Sequence, residues 1–307
     1  MPDVQPVMFR WDANVVGVGI NRAASSAAFA LGDGTLRLIA LDANDLREVH
    51  RISLGDAVAL RIEADCSLTG FVCSTDQGAV LSIESVEPQT LARYAGKQVD
   101  QVAAHESGLR AVAADGQVHL FDAAGQACGS LGPHPSTVAG IVFNKVGKRI
   151  FACHYEGVSV WNPRAVGAAA TQLSFPGSHL AVSVSPDGKF VATATQEKEV
   201  HVWRTREGGD MRMSGYYAKI RSMSWSFDSA WLITSGGDTA TAWSFQRGGP
   251  EGKPPSMIGP FSDALVSCVA CHPGMNVAAL GYGDGRVVIA KLDSKAKSLD
   301  VLPTGGA

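Results

Sequence analysis

The chain has 307 residues, 46% hydrophobic and 18% charged, with 26 Lys and Arg against 29 Asp and Glu. A net charge of −3, with no basic run beyond Lys295-Ala296-Lys297, argues against a nucleic-acid binder, which concentrates positive charge on one face. No apolar run approaches the roughly twenty residues a membrane helix needs, so neither nucleic acid nor membrane is an expected partner.

Residues 4–11 have strand character. From residue 15 onward the chain breaks into short runs of alternating apolar and polar residues between Gly, Pro and Asp, the pattern of strands and tight turns. The clearest unit is 179–204, with strands expected at 180–185, 190–195 and 200–203 around a Pro186-Asp187-Gly188 turn. This unit recurs. Its closing Trp203 has counterparts at Ile39, Ile83, Phe121, Trp161, Trp243 and Ala290, spaced 38 to 47 residues apart. A period near forty with four-strand-sized units is the mark of a propeller blade. The first strands align in columns: an apolar slot at Ile20, Ile62, Ala104, Phe143, Val184, Trp225 and Cys271, and another two residues earlier, from Val18 to Val269. A polar slot follows at Asn21, Glu63, His105, Asn144, Ser185, Ser226 and His272, leading into the turn.

The expectation is an all-β, single-domain, seven-bladed propeller of four-stranded antiparallel blades at 15–54, 57–96, 99–132, 138–176, 179–215, 220–262 and 266–292. A terminal strand closes the ring, because an open ring leaves two strand edges unpaired. Residues 4–11 are favoured for this clasp over 298–303. The Gly- and Pro-rich stretches 162–171 and 246–256 read as exposed loops.

Val-x-Val-Trp at 158–161 and 200–203, Ser-Pro-Asp-Gly at 185–188, His-Pro-Gly at 272–274 and the Asp turns at 32–34, 114–116 and 283–285 resemble the WD40-repeat β-propellers. The resemblance spans nearly the whole chain and implies a rigid scaffold that binds proteins through loops. Two features depart from the family. No Trp-Asp dipeptide closes a repeat, and the Gly-His pair that opens repeats is absent, with His134 and His179 nearest its place. The family's Asp-His-Ser/Thr-Trp network is therefore expected to be incomplete in every blade. The compact chain suggests a divergent bacterial member, monomeric and cytoplasmic, since residues 1–8 lack a basic-then-apolar leader.

Cys268-Val-Ala-Cys271-His272 spells the c-type haem pattern. Both cysteines fall in repeat columns, however, and residues three apart on a strand face opposite ways. The six cysteines are read as buried free thiols, with no metal site and no cofactor expected. The inner-strand starts Val16, Val58, Asp100, Ala139, Leu180, Arg221 and Ser267 offer one acid and one base among mostly apolar neighbours. That is no paired-carboxylate or metal set, so a non-catalytic adaptor is preferred over a channel-mouth enzyme or a small-ligand or metal binder. The recurring Asp33, Asp76, Asp115, Asp238 and Asp284 read as turn formers. Aromatic, His and Arg residues in or beside loops are the candidate partner-binding surface: Trp11, His134, Tyr155, His179, Tyr216, Tyr217, Arg221 and Tyr282.

Overall fold

The computed structural model describes residues 9–42, 45–206, 208–292 and 298–302. These residues are all-β; the one helical element among them is a three-residue 3-10 turn at Gln246–Gly248. The first sheet holds β1 (Val15–Ile20), β2 (Ser26–Leu31), β3 (Thr35–Asp42) and β4 (Asp45–Ser53). The second holds β5 (Ala59–Ala64), β6 (Phe71–Thr75), β7 (Ala79–Ile83) and β8 (Gln89–Arg93). The third is β9 (Gln101–His105), β10 (Leu109–Ala114), β11 (Gln117–Phe121) and β12 (Ala127–Leu131). The fourth has six strands in sequence order: β13 (Gly140–Phe143), β14 (Ile150–Trp161), β15 (Thr171–Val184), β16 (Phe190–Thr195), β17 (Val200–Arg204) and β18 (Asp210–Met213). The fifth is β19 (Met223–Trp225), β20 (Trp231–Thr234), β21 (Ala240–Ser244) and β22 (Ser256–Ile258). The sixth is β23 (Val266–Cys271), β24 (Val277–Tyr282), β25 (Val287–Lys291) and β26 (Ser298–Leu302). The arrangement is a β-propeller of antiparallel blades.

Among the described residues there are six sheets, which corrects the expectation of seven blades. The repeats at 138–176 and 179–215 run into one sheet, because β14 and β15 continue through positions where strand ends were expected. The backbone bends there without ending the strand. Glu156 and Gly157 have φ of 70° and 141°, and His154 Nε2 lies 2.8 Å from Ser159 Oγ, which five extended residues would hold far apart. The terminal strand is a second correction. The fourth strand of the last sheet is C-terminal: β26 pairs with β25 through Ile289↔Leu299 and Ala290↔Ser298. Residues 4–8 of the favoured clasp lie outside the described residues, and 9–14 form no strand.

The polar column of the repeat has a structural cause. At the end of each first strand a side chain accepts N–H groups of the turn that follows. Asn21 Oδ1 takes Ser25 N–H at 2.9 Å, and Asn144 Oδ1 takes Lys148 and Arg149 N–H, each at 3.0 Å. Ser185 Oγ takes Phe190 N–H at 3.0 Å, and Ser226 Oγ takes Trp231 N–H at 2.9 Å. His105 and His272 do the same with Nδ1, at 3.1 and 3.0 Å. In the second sheet the capping residue is Asp65, bonded to Cys66 N–H at 2.7 Å. Glu63, which the repeat alignment had selected, instead pairs with Arg61. Turn N–H groups that are not in a ladder need such an acceptor, and short polar side chains supply it locally.

The chain divides into two compact units. One holds the described residues through His154 together with Ser159–Thr171; the other holds Tyr155–Val158 and the described residues from Gln172. In the first, apolar side chains of neighbouring sheets pack in clusters around Phe71, Leu36 and Ile83, and around Leu120, Ile150 and Trp161. Val18 and Ile20 stand apart from the other members of their apolar slots, being 56% and 55% exposed. In the second unit, Phe190, Leu232 and Trp243 lie in one cluster and Ile233, Leu280 and Tyr282 in another. β16 is buried at every position, as befits a central strand covered on both faces.

Asp65 also anchors a buried ion pair that the repeat pattern does not announce. Arg110 Nε and Nη2 reach its two carboxylate oxygens at 2.6 and 2.9 Å, and Ser82 Oγ donates to Oδ2 at 2.9 Å. Arg110 Nη1 is spent on the carbonyls of Asp122 and Ala123. Burial raises the Asp65 carboxyl pKa, but the Arg110 and Cys66 hydrogen bonds outweigh it and hold the group below its ordinary value. Removing one partner of a fully satisfied buried pair strands the other charge, which costs about 3–5 kcal/mol. Arg110→Ala is therefore expected to lower unfolding free energy by that order. A urea titration of both proteins checks it, and a loss near zero would contradict the assignment.

Candidate interaction surface

The sequence candidates divide into side chains that brace the blades and side chains that face solvent. Among the braces, His179 is 1% exposed, bonding Thr193 Oγ1 through Nδ1 at 2.8 Å and Phe175 O through Nε2 at 3.1 Å. The carbonyl requires a donor, so the proton is assigned to Nε2 and Thr193 donates to Nδ1. Its ring packs 5.7 Å from that of Trp203. One repeat later Tyr216 takes the equivalent place. Its hydroxyl lies 2.6 Å from Thr234 Oγ1 and accepts Trp243 Nε1–H at 2.6 Å, and burial pushes its pKa up to about 12. His179 and Tyr216 are thus each joined to a Thr and a Trp on two further strands. A hydrogen-bond network built on Tyr216 closes in the fifth sheet.

Tyr282 is likewise internal: 4% exposed, it donates to Pro260 O at 2.7 Å, with Arg286 stacked 4.4 Å over its ring. Burial takes His179 and Tyr282 off the candidate surface, and Tyr216 turns its hydroxyl inward. In the first unit, half-buried His134 bonds Gly116 O through Nδ1 at 2.9 Å beside Trp161, and burial lowers its pKa. Half-buried Trp11 donates to Glu48 at 3.1 Å and packs on Phe29.

Tyr217, Arg221 and Tyr155 are exposed, Tyr217 at 57%. Tyr217 lies beside an open cleft of about 690 Å³ lined by Asp238, Phe261, Asp263, Asp284 and Arg286. Its hydroxyl accepts the Asp238 N–H, while Phe261 and Leu265 project at 68% and 43% exposure. The loops that carry these side chains are fastened to one another. Ser262 N–H bonds Asp238 O at 3.1 Å, Val266 N–H bonds Gly237 O at 2.9 Å, and Gly283 N–H bonds Leu265 O at 2.9 Å. The result is a fixed ledge of aromatic and aliphatic side chains beside carboxylates. Sequence reasoning found Tyr217 but missed Phe261, Leu265 and Asp263, whose loop follows no repeat column. Asp284 keeps its expected turn bond to Arg286 N–H, at 3.0 Å, as Asp33 does to Thr35.

The cysteines are not uniformly buried as expected: Cys73 and Cys153 are, but Cys128 and Cys268 are exposed. Cys271 N–H bonds Ser224 Oγ at 2.9 Å, and burial pushes its thiol up to about 11. Among the described residues no three His, Cys, Asp or Glu side chains gather as a metal set, and no helix is long and apolar enough to cross a membrane.

Antiparallel blades, two repeats of which are braced by a His or Tyr, a Thr and a Trp, form a β-propeller similar to the WD40 kind. The family model described as WD domain, G-beta repeat matches residues 171–204 and 211–244, the two stretches that contain these braces. The chain carries WD40 repeats, and that fold fits a protein-interaction scaffold. A search of curated proteins finds no match.

Two predictions follow from the buried polar groups. Tyr216→Phe leaves Trp243 Nε1 without its partner, while Thr234 keeps its bond to Thr241 O, and should cost about 1–3 kcal/mol in chemical denaturation; an unchanged midpoint would refute the brace. His201, 1% exposed, stacks on Phe175 at 3.6 Å between ring centroids. Burial drives its pKa down to about 4 despite Asp210 Oδ2 at 3.0 Å, whose side chain is half-exposed and screened. The unfolded imidazole takes a proton near 6.5, so stability is full above that pH and falls as pH drops toward 4. His201→Gln should flatten the fall in unfolding free energy over this window, by an amount on the order of 3 kcal/mol. Parallel curves for the two proteins would contradict it.

Proposed function

We propose that the chain is a non-catalytic adaptor that binds a partner protein on the ledge formed by Tyr217, Phe261 and Leu265, with Asp238, Asp263 and Asp284 selecting a basic contact surface. One observation carries the reading: large apolar side chains stand exposed on loops already locked by backbone hydrogen bonds. A surface ordered before binding loses little further entropy on docking, and exposed aromatics are the usual anchors of an interface. Carboxylates at the rim add steering and selectivity more than raw affinity. Arg221 and Tyr155, exposed in the same unit, are the remaining sequence candidates for contact. The adaptor acts in solution as a monomer and needs no cofactor.

The test is capture from native lysate with the parent protein, Tyr217→Ala/Phe261→Ala and the control Met275→Ala, a residue 52% exposed outside the cleft. A partner bound by the parent and control should bind the double variant at least about tenfold more weakly, since each anchor contributes roughly 2 kcal/mol. Melting temperatures establish that all three are folded. Equal binding by the double variant would overturn the placement of the site.

A further inference from the structure

A second cavity in the same unit has the opposite character. It encloses about 450 Å³ between the turns at 187–190 and 228–230 and the loops at 204–206 and 245–248. Its apolar lining includes Phe190 and Phe245, 7% and 5% exposed, whose rings pack at 4.8 Å between centroids. Four cations line it, Lys189, Arg204, Arg206 and Arg247, against two anions, Asp187 and Asp228. The anions are committed to their own turns. Asp187 Oδ1 accepts Ser185 Oγ and Lys189 N–H at 2.7 and 3.1 Å; Asp228 Oδ1 accepts Ser226 Oγ and Ala230 N–H at 2.6 and 3.0 Å. Lys189 Nζ lies 3.1 Å from Asp187, and Arg204 is held by Glu251 at 2.6 Å and Gly248 O at 2.9 Å. Arg206 and Arg247 are exposed and have no hydrogen-bond or ion-pair partner among the described residues.

We propose that this cavity docks an acidic segment of a partner protein, with Asp or Glu side chains paired to Arg206 and Arg247 and an aromatic or aliphatic side chain seated on the Phe190–Phe245 floor. The volume falls in the ordinary range of ligand clefts, about 300–1,000 Å³. Guanidinium forks match carboxylates in two-point contact, and two of them stand here uncommitted. A bare phosphate meets the same guanidinium forks but leaves the Phe190–Phe245 floor uncovered, and the main-chain N–H groups of Lys189 and Ala230 are already given to Asp187 and Asp228. The inference rests on the reading of the chain as an interaction module, but on a different surface from the Tyr217 ledge.

Random-peptide display tests it, selecting on the parent protein and comparing recovery on Arg206→Glu/Arg247→Asp; Asp suits the left-handed conformation of position 247, φ 57°. Peptides recovered by the parent should include a class rich in Asp and Glu beside Phe, Tyr or Leu. In fluorescence anisotropy that class should bind the charge-reversed protein at least about tenfold more weakly. It should bind Tyr217→Ala/Phe261→Ala as it binds the parent, so that failure of the ledge and failure of this cavity are told apart. Inorganic phosphate at millimolar concentration and constant ionic strength should not displace it. No acidic class, equal binding to the charge-reversed protein with its melting temperature intact, or displacement by phosphate would each overturn the proposal.

Discussion

The structure depends on how each blade turns its first corner. A polar side chain at the end of the first strand accepts the N–H groups of the turn, and the second strand then leaves in a fixed register. With Asn21, Asn144, Ser185 and Ser226 the side-chain oxygen accepts an N–H four or five residues on, and Asp65, His105 and His272 reach the same end by accepting an N–H one or two residues on. A slip of one residue would turn the buried set of a strand to solvent. The corner therefore decides which side chains enter the core, and with them where the loops at either end of the strands emerge. Ser185 and Ser226 show the coupling directly: the turns they hold carry Asp187 and Asp228 to the edge of the basic cavity.

A second layer of polar contacts braces successive repeats. His179, within β15, and Tyr216, ahead of β19, each bond a threonine in the strand beside it. Tyr217, next to one of these braces, faces out because its neighbour is held in. The same loop thus contains an internal anchor and an external contact, so a binding side chain is positioned by the fold and not by its own loop alone. This division explains how a chain whose blades share one grammar can present two unlike surfaces, an acidic ledge with exposed aromatics and a basic cavity with an aromatic floor.

Much of the fold was legible because the repeat is written in residue types that each do one job. Trp161, Trp203 and Trp243, which close three of the repeats, lie in the core, and the polar column marks the turn caps. The count of blades was not legible, since Tyr155-Glu156-Gly157 and Pro176-Gly177 look like strand breaks in sequence but bend strands that hydrogen bonding carries onward. Asp65 was missed by two residues in the repeat alignment, although its turn closes five residues on as those of Asn21 and Ser185 do, and this hid both its cap and its pairing with Arg110, 45 residues away. Adjacent tyrosines were equal candidates in sequence. Only tertiary contacts separate Tyr216, bonded to Trp243, from Tyr217 in solvent. Phe261 and the arginines at 206 and 247 lie in loops outside every column, where periodicity carries no information.

The central claim is that the prearranged Tyr217 ledge, and not the propeller surface in general, receives the partner captured from lysate. Hydrogen–deuterium exchange on the chain alone and with the partner captured by it addresses this directly. The account predicts slowed exchange confined to residues 215–221, 236–239 and 259–266, with the first unit unchanged. Protection elsewhere, with those segments exchanging as in the free chain, would contradict it.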